Sequence, residues 1–182
     1  MLANGYSRGH GVIPHQPPVL RRLARSCSRF PLLHDGRNKM IKSSPPRWRE
    51  LLQELQERLG PSRKPLLIGI DGADGLGKSS LASWLAWQLG MPTVHLDFYL
   101  IHGEPLAWMV QEIDRMIGQR IDGERPMIIE GTYLLDVLEQ IEWQPDFLVY
   151  VCGQGNLPYT DYVARHNPEA RAHFCLDGLS AS

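Results

Sequence analysis

Eight consecutive residues of the chain match the pattern G-x-x-x-x-G-K-[ST]. They run from Gly72 to Ser79, after the segment 66–71, which is apolar up to Ile70, and before a stretch with helical periodicity. This order predicts a strand, a phosphate-binding loop and a helix. The alternative is an ordinary glycine-rich turn with a surface lysine. Four specified positions match by chance in only about 1% of chains of this length, which favours the phosphate loop.

The spacing of the motif suits the phosphates of a nucleotide. Gly72 and Gly77 permit positive φ angles and a close backbone approach, so successive N–H groups can converge on the α- and β-phosphates. Lys78 would reach the β- and γ-phosphates, and the hydroxyl of Ser79 would bind Mg²⁺. The predicted nucleotide site consists of Gly72, Ala73, Asp74, Gly75, Leu76, Gly77, Lys78, Ser79 and Ser80.

Composition predicts one soluble globular domain. The 182 residues are 43% hydrophobic and 21% charged, and the longest apolar runs, such as 66–70 and 147–152, have the length of strands rather than of membrane spans. The three cysteines, Cys27, Cys152 and Cys175, form no C-x-x-C pair. This argues against a disulfide framework and against a zinc site, and it favours a reducing, cytoplasmic setting.

Charge is unevenly distributed along the chain. Residues 1–46 contain eight basic residues and one acid, a charge of +7, so the total of −1 leaves −8 for the remainder. A nucleic-acid-binding protein would be expected to have a basic surface on its folded part. A nucleic-acid partner held by the basic segment alone is therefore only a weaker alternative.

Residues 1–46 are predicted to be a poorly ordered basic extension. They contain six prolines and four glycines without a sustained apolar period. An arginine-rich, acid-poor N-terminus also resembles an organelle transit peptide, here over residues 1–39, although its one amphipathic turn begins only at Val19. An upstream extension of the reading frame, with the working protein starting near Met40, is the favoured alternative.

Residues 47–182 show alternating strand and helix patterns. This alternation predicts an α/β domain with a parallel sheet and helices on both faces. The polar segment 153–172, interrupted by glycine and proline, is predicted to be a short lid. Thr132 is predicted to be the N-cap of the helix that follows it. Predicted helices cover 47–59, 80–89, 105–121 and 133–141, and predicted strands cover 66–71, 93–99, 126–131, 146–152 and 173–176.

Two acids lie at or near the ends of predicted strands. Asp97 is near the end of the second strand and Glu130 is near the end of the third. Ligands of open α/β sheets bind at the carboxyl ends of strands, so Asp97 is expected to face the γ-phosphate and an acceptor hydroxyl, and Glu130 to support Mg²⁺. For Asp97 the alternative is a turn residue that ends the strand. The chain has no N-K-x-D segment of the kind that reads guanine in G proteins.

Together, the segments 68–79, 95–99 and 128–131 resemble the uridine kinase-like branch of the P-loop kinases, a group that includes phosphoribulokinase and bacterial pantothenate kinase. The resemblance covers about residues 64–178. It implies the three-layer α/β/α fold of P-loop NTPases, with a five-stranded parallel sheet of order 2-3-1-4-5. It also implies transfer of the ATP γ-phosphoryl group to a hydroxyl of a small molecule, such as a nucleoside-like metabolite.

The resemblance also implies roles for individual residues. Asp97 would take the hydroxyl proton and Glu130 would support Mg²⁺, while Arg165 and Arg171 would correspond to the lid arginines that steady the phosphates. The chain departs from the family where Asp97 directly precedes its aromatic neighbour and where paired lid arginines are expected. A nucleotide-binding regulatory or interaction protein with little transferase activity is therefore the alternative. Candidates for lining the acceptor site, with core packing as the alternative for each, are Tyr99, His102, Trp108 and Tyr133.

Overall fold

Five short apolar segments form one parallel sheet in this structure, a computed structural model that describes residues 46–154 and 157–178. The strands are β1 (Leu67–Gly72), β2 (Thr93–His95), β3 (Met127–Gly131), β4 (Phe147–Cys152) and β5 (Phe174–Asp177). Their order across the sheet is β2-β3-β1-β4-β5, and every neighbouring pair is parallel. The predicted strand order is confirmed. The predictions for residues 1–45 lie outside the described residues.

Helices cover both faces of the sheet. They are α1 (Pro46–Leu59), α2 (Lys78–Leu89), α3 (Val110–Ile121), α4 (Leu134–Gln140), α5 (Leu157–His166) and α6 (Pro168–Arg171). Leucines of α1 and α2 pack in one core cluster, whereas apolar residues of α3, α4 and α5 pack in the other. The three-layer α/β/α architecture is therefore confirmed. No helix within residues 46–154 and 157–178 is both long enough and apolar enough to span a membrane.

The central strand β1 serves both cores because successive side chains of a strand point to opposite faces. Leu67 belongs to the cluster with α4, whereas Ile68 and Ile70 belong to the cluster with α2. At Gly69, an added Cβ would lie 3.0 Å from Leu134 Cδ2. The missing side chain lets α4 approach the sheet closely at the strand that leads into the glycine-rich loop.

The second strand is shorter than predicted. It ends at His95, and a single turn of 3₁₀-helix, Leu96–Tyr99, follows. Leu96 is fully buried in this turn, and it lies so close to Gly131 that an added Cβ there would be 2.7 Å from Leu96 Cβ. Burial of Leu96 against the end of β3 bends the chain out of the sheet one residue before Asp97.

Two predicted helix starts are wrong. The helix predicted over 105–121 begins at Val110, because Leu106 has a φ of 55° and residues 99–109 fold back on themselves through a bridge between Leu100 and Trp108. Thr132 is not an N-cap: that position belongs to Tyr133, which has a φ of 62° and forms no side-chain cap.

The segment 153–172, predicted as a lid, contains the two helices α5 and α6 where the structure describes it. Tyr159 and Tyr162 of α5 are 3% and 0% exposed and belong to the core cluster that includes α4. Helix α5 is thus packed into the core through one face. Movement of this segment as a lid stays a prediction.

Candidate active site

The residues between β1 and α2 form a glycine-rich turn at the carboxyl edge of the sheet. Gly72, Gly75 and Gly77 have φ angles of 152°, 75° and 87°, a region that favours glycine. A Cβ on Gly72 would lie 2.6 Å from the carbonyl oxygen of Val151, so a larger residue does not fit there. Helix α2 begins where the turn ends, and the first N–H groups of a helix have no intrahelical partner. This combination suits an anion such as phosphate.

Leu76 anchors the turn to the neighbouring strand ends. A Cβ on Gly153, just after β4, would lie 2.5 Å from Leu76 Cδ2, and a Cβ on Gly178, just after β5, would lie 2.7 Å from the same atom. The two glycines thus leave room for this one side chain. Asp74 and Ser80 are exposed beside it.

Lys78 folds back along the turn. Its side chain is 6% exposed, and its Nζ donates to the carbonyl oxygen of Ala73 at 2.9 Å and to Oγ1 of Thr132 at 3.0 Å. Thr132 in turn donates to Oδ1 of Asp74 at 2.5 Å. An ammonium group has three N–H donors. Two of them hold Lys78 in position, and the third has no hydrogen-bond partner among residues 46–154 and 157–178.

Ser79 and Glu130 meet although they are 51 positions apart in the chain. The Ser79 hydroxyl donates to Oε1 of Glu130 at 2.9 Å, and the same oxygen lies 2.6 Å from Nδ1 of His95. Glu130 is 1% exposed at the end of β3, where it is the register partner of His95. The structure thus brings the loop serine and the third-strand acid together at one edge of the sheet, and their role in binding Mg²⁺ stays a prediction.

This oxygen pair fits Mg²⁺. The ion prefers hard oxygen ligands and binds through one or two protein groups together with phosphate oxygens and water. The Ser79 hydroxyl and the Glu130 carboxylate supply two such oxygens 2.9 Å apart, beside the turn that suits phosphate. Both predicted metal residues thus lie at one place with suitable chemistry.

Asp97 does not occupy the predicted strand end. It lies in the 3₁₀ turn after β2, its residue is exposed, and it makes no hydrogen bond or ion pair with another residue that the structure describes. The side chain at the strand end beside Glu130 is instead that of His95. The position of Asp97 within a strand is therefore corrected, and its role as a base stays a prediction.

The two arginines of the predicted lid lie on the α4 side of the molecule. Arg165, in α5, forms an ion pair with Asp136 of α4 at 3.2 Å. Arg171 ends α6 and lines a cavity together with Trp143 and His166. Within the described residues, neither arginine forms a hydrogen bond or ion pair with the loop. Their contact with phosphates stays a prediction.

Solved structures with the same architecture provide a comparison. A structure described as a possible uridine kinase from Bacillus stearothermophilus superposes with a TM-score of 0.54 and 19% identity, over 72% of this chain and 97% of that one. The chain has the P-loop NTPase fold. A gluconokinase from Sinorhizobium meliloti has a TM-score of 0.42 with 19% identity over 65% and 85% of the two chains, and a shikimate kinase from Bacteroides thetaiotaomicron has 0.41 with 16% over 62% and 86%.

The superposition with the possible uridine kinase supports a shared fold, and an identity of 19% supports no conclusion about substrate. No model of a known protein family matches the chain, and no curated protein matches it either. The assignment of chemistry therefore depends on the site residues themselves.

Sequence analysis missed a buried acid at the base of the P-loop. Asp71 is fully buried, and its carboxylate accepts hydrogen bonds from the N–H of Gly72 at 2.8 Å and from the hydroxyl of Tyr162. Burial raises the pKa of Asp71 to about 6, although the bonds from Tyr162 and Gly72 act in the opposite direction. The hydroxyl of Tyr162 also accepts from the N–H of Leu135 at 3.1 Å, so it links α4 and α5 to the loop.

Replacing Asp71 by asparagine is expected to change how stability depends on pH. Because the pKa is raised from 3.8 to about 6 in the folded protein, protonated Asp71 stabilises the fold at low pH, and this stabilisation is lost as the pH rises through 6. The shift corresponds to about 3 kcal/mol. Between pH 4 and pH 8, the free energy of unfolding measured in urea should fall by about 3 kcal/mol more for the wild type than for Asp71→Asn. Parallel curves for the two proteins would contradict the assignment.

Thr132 and His95 were not predicted as site residues either. A signal was available for Thr132, since a hydroxyl two residues after the third-strand acid lies at the same sheet edge as the loop. The register that pairs His95 with Glu130 could not be read from the sequence, because it depends on where β2 leaves the sheet.

Proposed function

We propose that the protein transfers the γ-phosphoryl group of ATP to a hydroxyl group of a small molecule and that it requires Mg²⁺. The observation that carries this proposal is the cluster at the carboxyl edge of β1 and β3. There, the ammonium of Lys78, the hydroxyl of Ser79 and the carboxylate of Glu130 converge beside a turn with three positive-φ glycines. A site that binds a nucleoside triphosphate requires a cation, oxygen ligands for a metal ion and N–H groups that are free to bind phosphate.

Each residue has a distinct electrostatic task. Lys78 and the N–H groups at the start of α2 neutralise negative charge on the β- and γ-phosphates, and this charge increases on the leaving oxygen during transfer. Ser79 and Glu130 would hold Mg²⁺, which would supply further neutralisation of the phosphate charge. His95 holds the Glu130 carboxylate at 2.6 Å and thereby fixes its direction. Thr132 holds Lys78 in the same way at 3.0 Å.

The transfer step itself is a simple displacement. The oxygen of the acceptor hydroxyl forms a bond to the γ-phosphorus while the bond from that phosphorus to the β,γ-bridging oxygen breaks. ADP leaves with the electron pair, and the hydroxyl proton passes to the carboxylate of Asp97. This carboxylate is available because it is exposed and makes no hydrogen bond or ion pair with the rest of the described chain.

Replacing Asp97 by asparagine is expected to lower the rate of transfer about a hundredfold while leaving ATP affinity nearly unchanged. The effect is moderate for a base because phosphoryl transfer depends mainly on positioning and charge. Steady-state kinetics with a fixed acceptor, combined with calorimetric titration of ATP, measures both quantities. Asp161→Asn, an exposed acid on α5, is the matched control. An unchanged rate in Asp97→Asn would remove Asp97 from this role.

The proposed function is tested by a coupled assay for ADP release over a panel of nucleosides, sugars and pantothenate-like alcohols. We expect Mg²⁺-dependent ADP release that at least one acceptor stimulates well above the rate with water alone. Binding of ATP without stimulation by any acceptor would contradict the proposal.

A second candidate function is a nucleotide-binding regulatory or interaction protein with little transferase activity. One observation favours it: the guanidinium of Arg165 is paired with Asp136 rather than with the P-loop. The same assay separates the two functions, because turnover stimulated by any acceptor excludes the second.

A further inference from the structure

A cavity of about 330 Å³ lies beside α4. Its walls come from the loop that precedes α3, from one side of α4 along its length and from α5. Its lining includes Leu106, Trp108, Tyr133, Asp136, Glu139 and Arg165. Cavities of this size accept small metabolites.

Trp108 contributes a buried hydrogen-bond donor without a partner. The residue is 8% exposed, and its Nε1 forms no hydrogen bond within the part of the chain that the structure describes. Buried donors are nearly always paired in folded proteins, since losing water without replacement is costly. The backbone holds the residue in place, because it bridges Leu100 and because the N–H of Met109 donates to the carbonyl oxygen of Tyr99 at 2.8 Å. Trp108 therefore lines the cavity with a side chain whose buried N–H is not used by any described residue.

Tyr133 connects this cavity to the P-loop. Its ring centroid lies 6.3 Å from that of Trp108, and its backbone has a φ of 62°, which is unusual for a tyrosine and typical of functional sites. The preceding residue, Thr132, donates to Asp74 and accepts from Lys78. Burial raises the pKa of Tyr133, and the nearby carboxylates of Asp74 and Asp136 raise it further. Tyr133 thus lines the cavity directly after a residue that contacts the loop.

The charges around the cavity disfavour an anionic ligand. Asp136 and Glu139 contribute two carboxylates and Arg165 contributes one cation, which Asp136 already holds at 3.2 Å. Nε2 of His166 lies 2.5 Å from the same carboxylate of Asp136. A ligand carboxylate would therefore lie near Arg165, whose charge Asp136 already neutralises, and near the largely exposed carboxylate of Glu139. A neutral ligand avoids this repulsion, and its hydroxyl groups can donate to the exposed carboxylate of Glu139.

We propose that this cavity is the acceptor pocket and that it selects uncharged alcohols over hydroxy acids of similar size. The acceptor packs its flat or apolar side against Trp108 and Tyr133, and one of its oxygens accepts from Nε1 of Trp108. This inference depends on the proposed function, because the acceptor must be a substrate for phosphoryl transfer. Trp108 then determines acceptor specificity, whereas the residues of the P-loop bind the phosphates.

The test uses pairs of compounds that differ by a carboxylate: pantothenol and pantothenate, glucose and gluconate, uridine and orotidine. Binding is measured by saturation-transfer NMR with the full chain, Mg²⁺ and a non-hydrolysable ATP analogue, and turnover is measured separately with ATP. We expect the neutral member of the best pair to bind at least about tenfold more tightly than the acid. Equal binding, preference for the acid, or no binding by any neutral member would overturn the inference.

Variants assign the effect to the cavity. Trp108→Phe keeps an aromatic ring but removes the donor, so it should weaken binding of the neutral acceptor about tenfold and raise its KM, with kcat and ATP affinity unchanged. Trp87→Phe, at a residue that is 78% exposed, should change none of these values. Glu139→Gln should reduce discrimination against the acid. Unchanged acceptor binding in Trp108→Phe would refute the assignment of the cavity.

Failure of this inference and failure of the proposed function are distinguishable. If neutral acceptors bind but receive no phosphoryl group, the proposed transfer is wrong while the cavity is a binding site. If an acceptor is phosphorylated but Trp108→Phe leaves its KM unchanged, transfer stands and the acceptor binds elsewhere.

Discussion

Replacing Lys78 by alanine is expected to lower phosphoryl transfer about a thousandfold. The ammonium is nearly buried, and bonds to the Ala73 carbonyl and to Thr132 hold it beside the glycine-rich turn. This positive charge is already in place before the reaction, so it stabilises the negative charge that develops during transfer without any rearrangement of the protein. It therefore stabilises the transition state more than it stabilises bound ATP. We therefore expect a much larger loss in kcat than in ATP affinity, measured by transfer kinetics and by calorimetry.

Lys64→Ala provides the control for this change. Lys64 is exposed in the turn between α1 and β1, and its removal should leave transfer unchanged. Thermal unfolding of both variants checks that the fold persists, since Thr132 retains its bond to Asp74 when Lys78 is absent. A Lys78→Ala protein that is folded, binds ATP and transfers at the wild-type rate would refute the role of this lysine.

Replacing Glu130 by glutamine is expected to lower the rate of phosphoryl transfer several-hundredfold. This is about the effect of removing one charged or hydrogen-bonding group that stabilises a transition state. Glutamine keeps the shape and can still accept the bond from Ser79, but it removes the negative charge of a residue that is 1% exposed. Mg²⁺ would then be held less tightly. Titrating Mg²⁺ at saturating ATP should show a higher half-saturating concentration in addition to the lower maximal rate.

The control for this variant is Glu112→Gln, an exposed acid in the first turn of α3. Its Mg²⁺ titration should coincide with that of the wild type. If Glu130→Gln showed an unchanged Mg²⁺ requirement, the carboxylate would have only a structural role, such as holding His95.

The parts of the site that could be predicted depend on local pattern and on parallel strand geometry. The G-x-x-x-x-G-K-S spacing determines a turn whose glycines indeed have positive φ angles. The meeting of Ser79 with Glu130 follows from the neighbouring parallel strands β1 and β3, whose carboxyl ends share an edge. Alternating apolar and amphipathic segments were enough to predict the layers and, through the family resemblance, the strand order.

The parts that could not be predicted depend on packing between distant segments. Burial of Leu96 against Gly131 turns the chain out of β2 and moves Asp97 to the surface, although the composition of 93–99 favours a strand. Tyr162 reaches Asp71 across 91 positions, and this requires knowing which face of α5 is buried. The pairing of Arg165 with Asp136 similarly depends on how α5 lies against α4.

Thr132 illustrates a conflict between local preference and the site. A threonine before a helical pattern favours an N-cap. Here the hydroxyl bonds Lys78 and Asp74 instead, and the helix begins two residues later, after Tyr133 with its left-handed backbone. Thr132 thus contacts the P-loop instead of capping the helix, as expected where a residue serves a functional site rather than its local structure.

The most direct test of the central claim is to follow the γ-phosphoryl group of ATP with an isotopic label, in the presence of Mg²⁺ and the acceptor panel. We predict that the label appears in a phosphomonoester of one acceptor, in an amount equal to the ADP released. Chelation of Mg²⁺ should abolish this product, and the Lys78→Ala change should lower its rate of formation about a thousandfold. Label that remains in ATP, or that appears only in inorganic phosphate for every acceptor while ATP is bound, would contradict the claim.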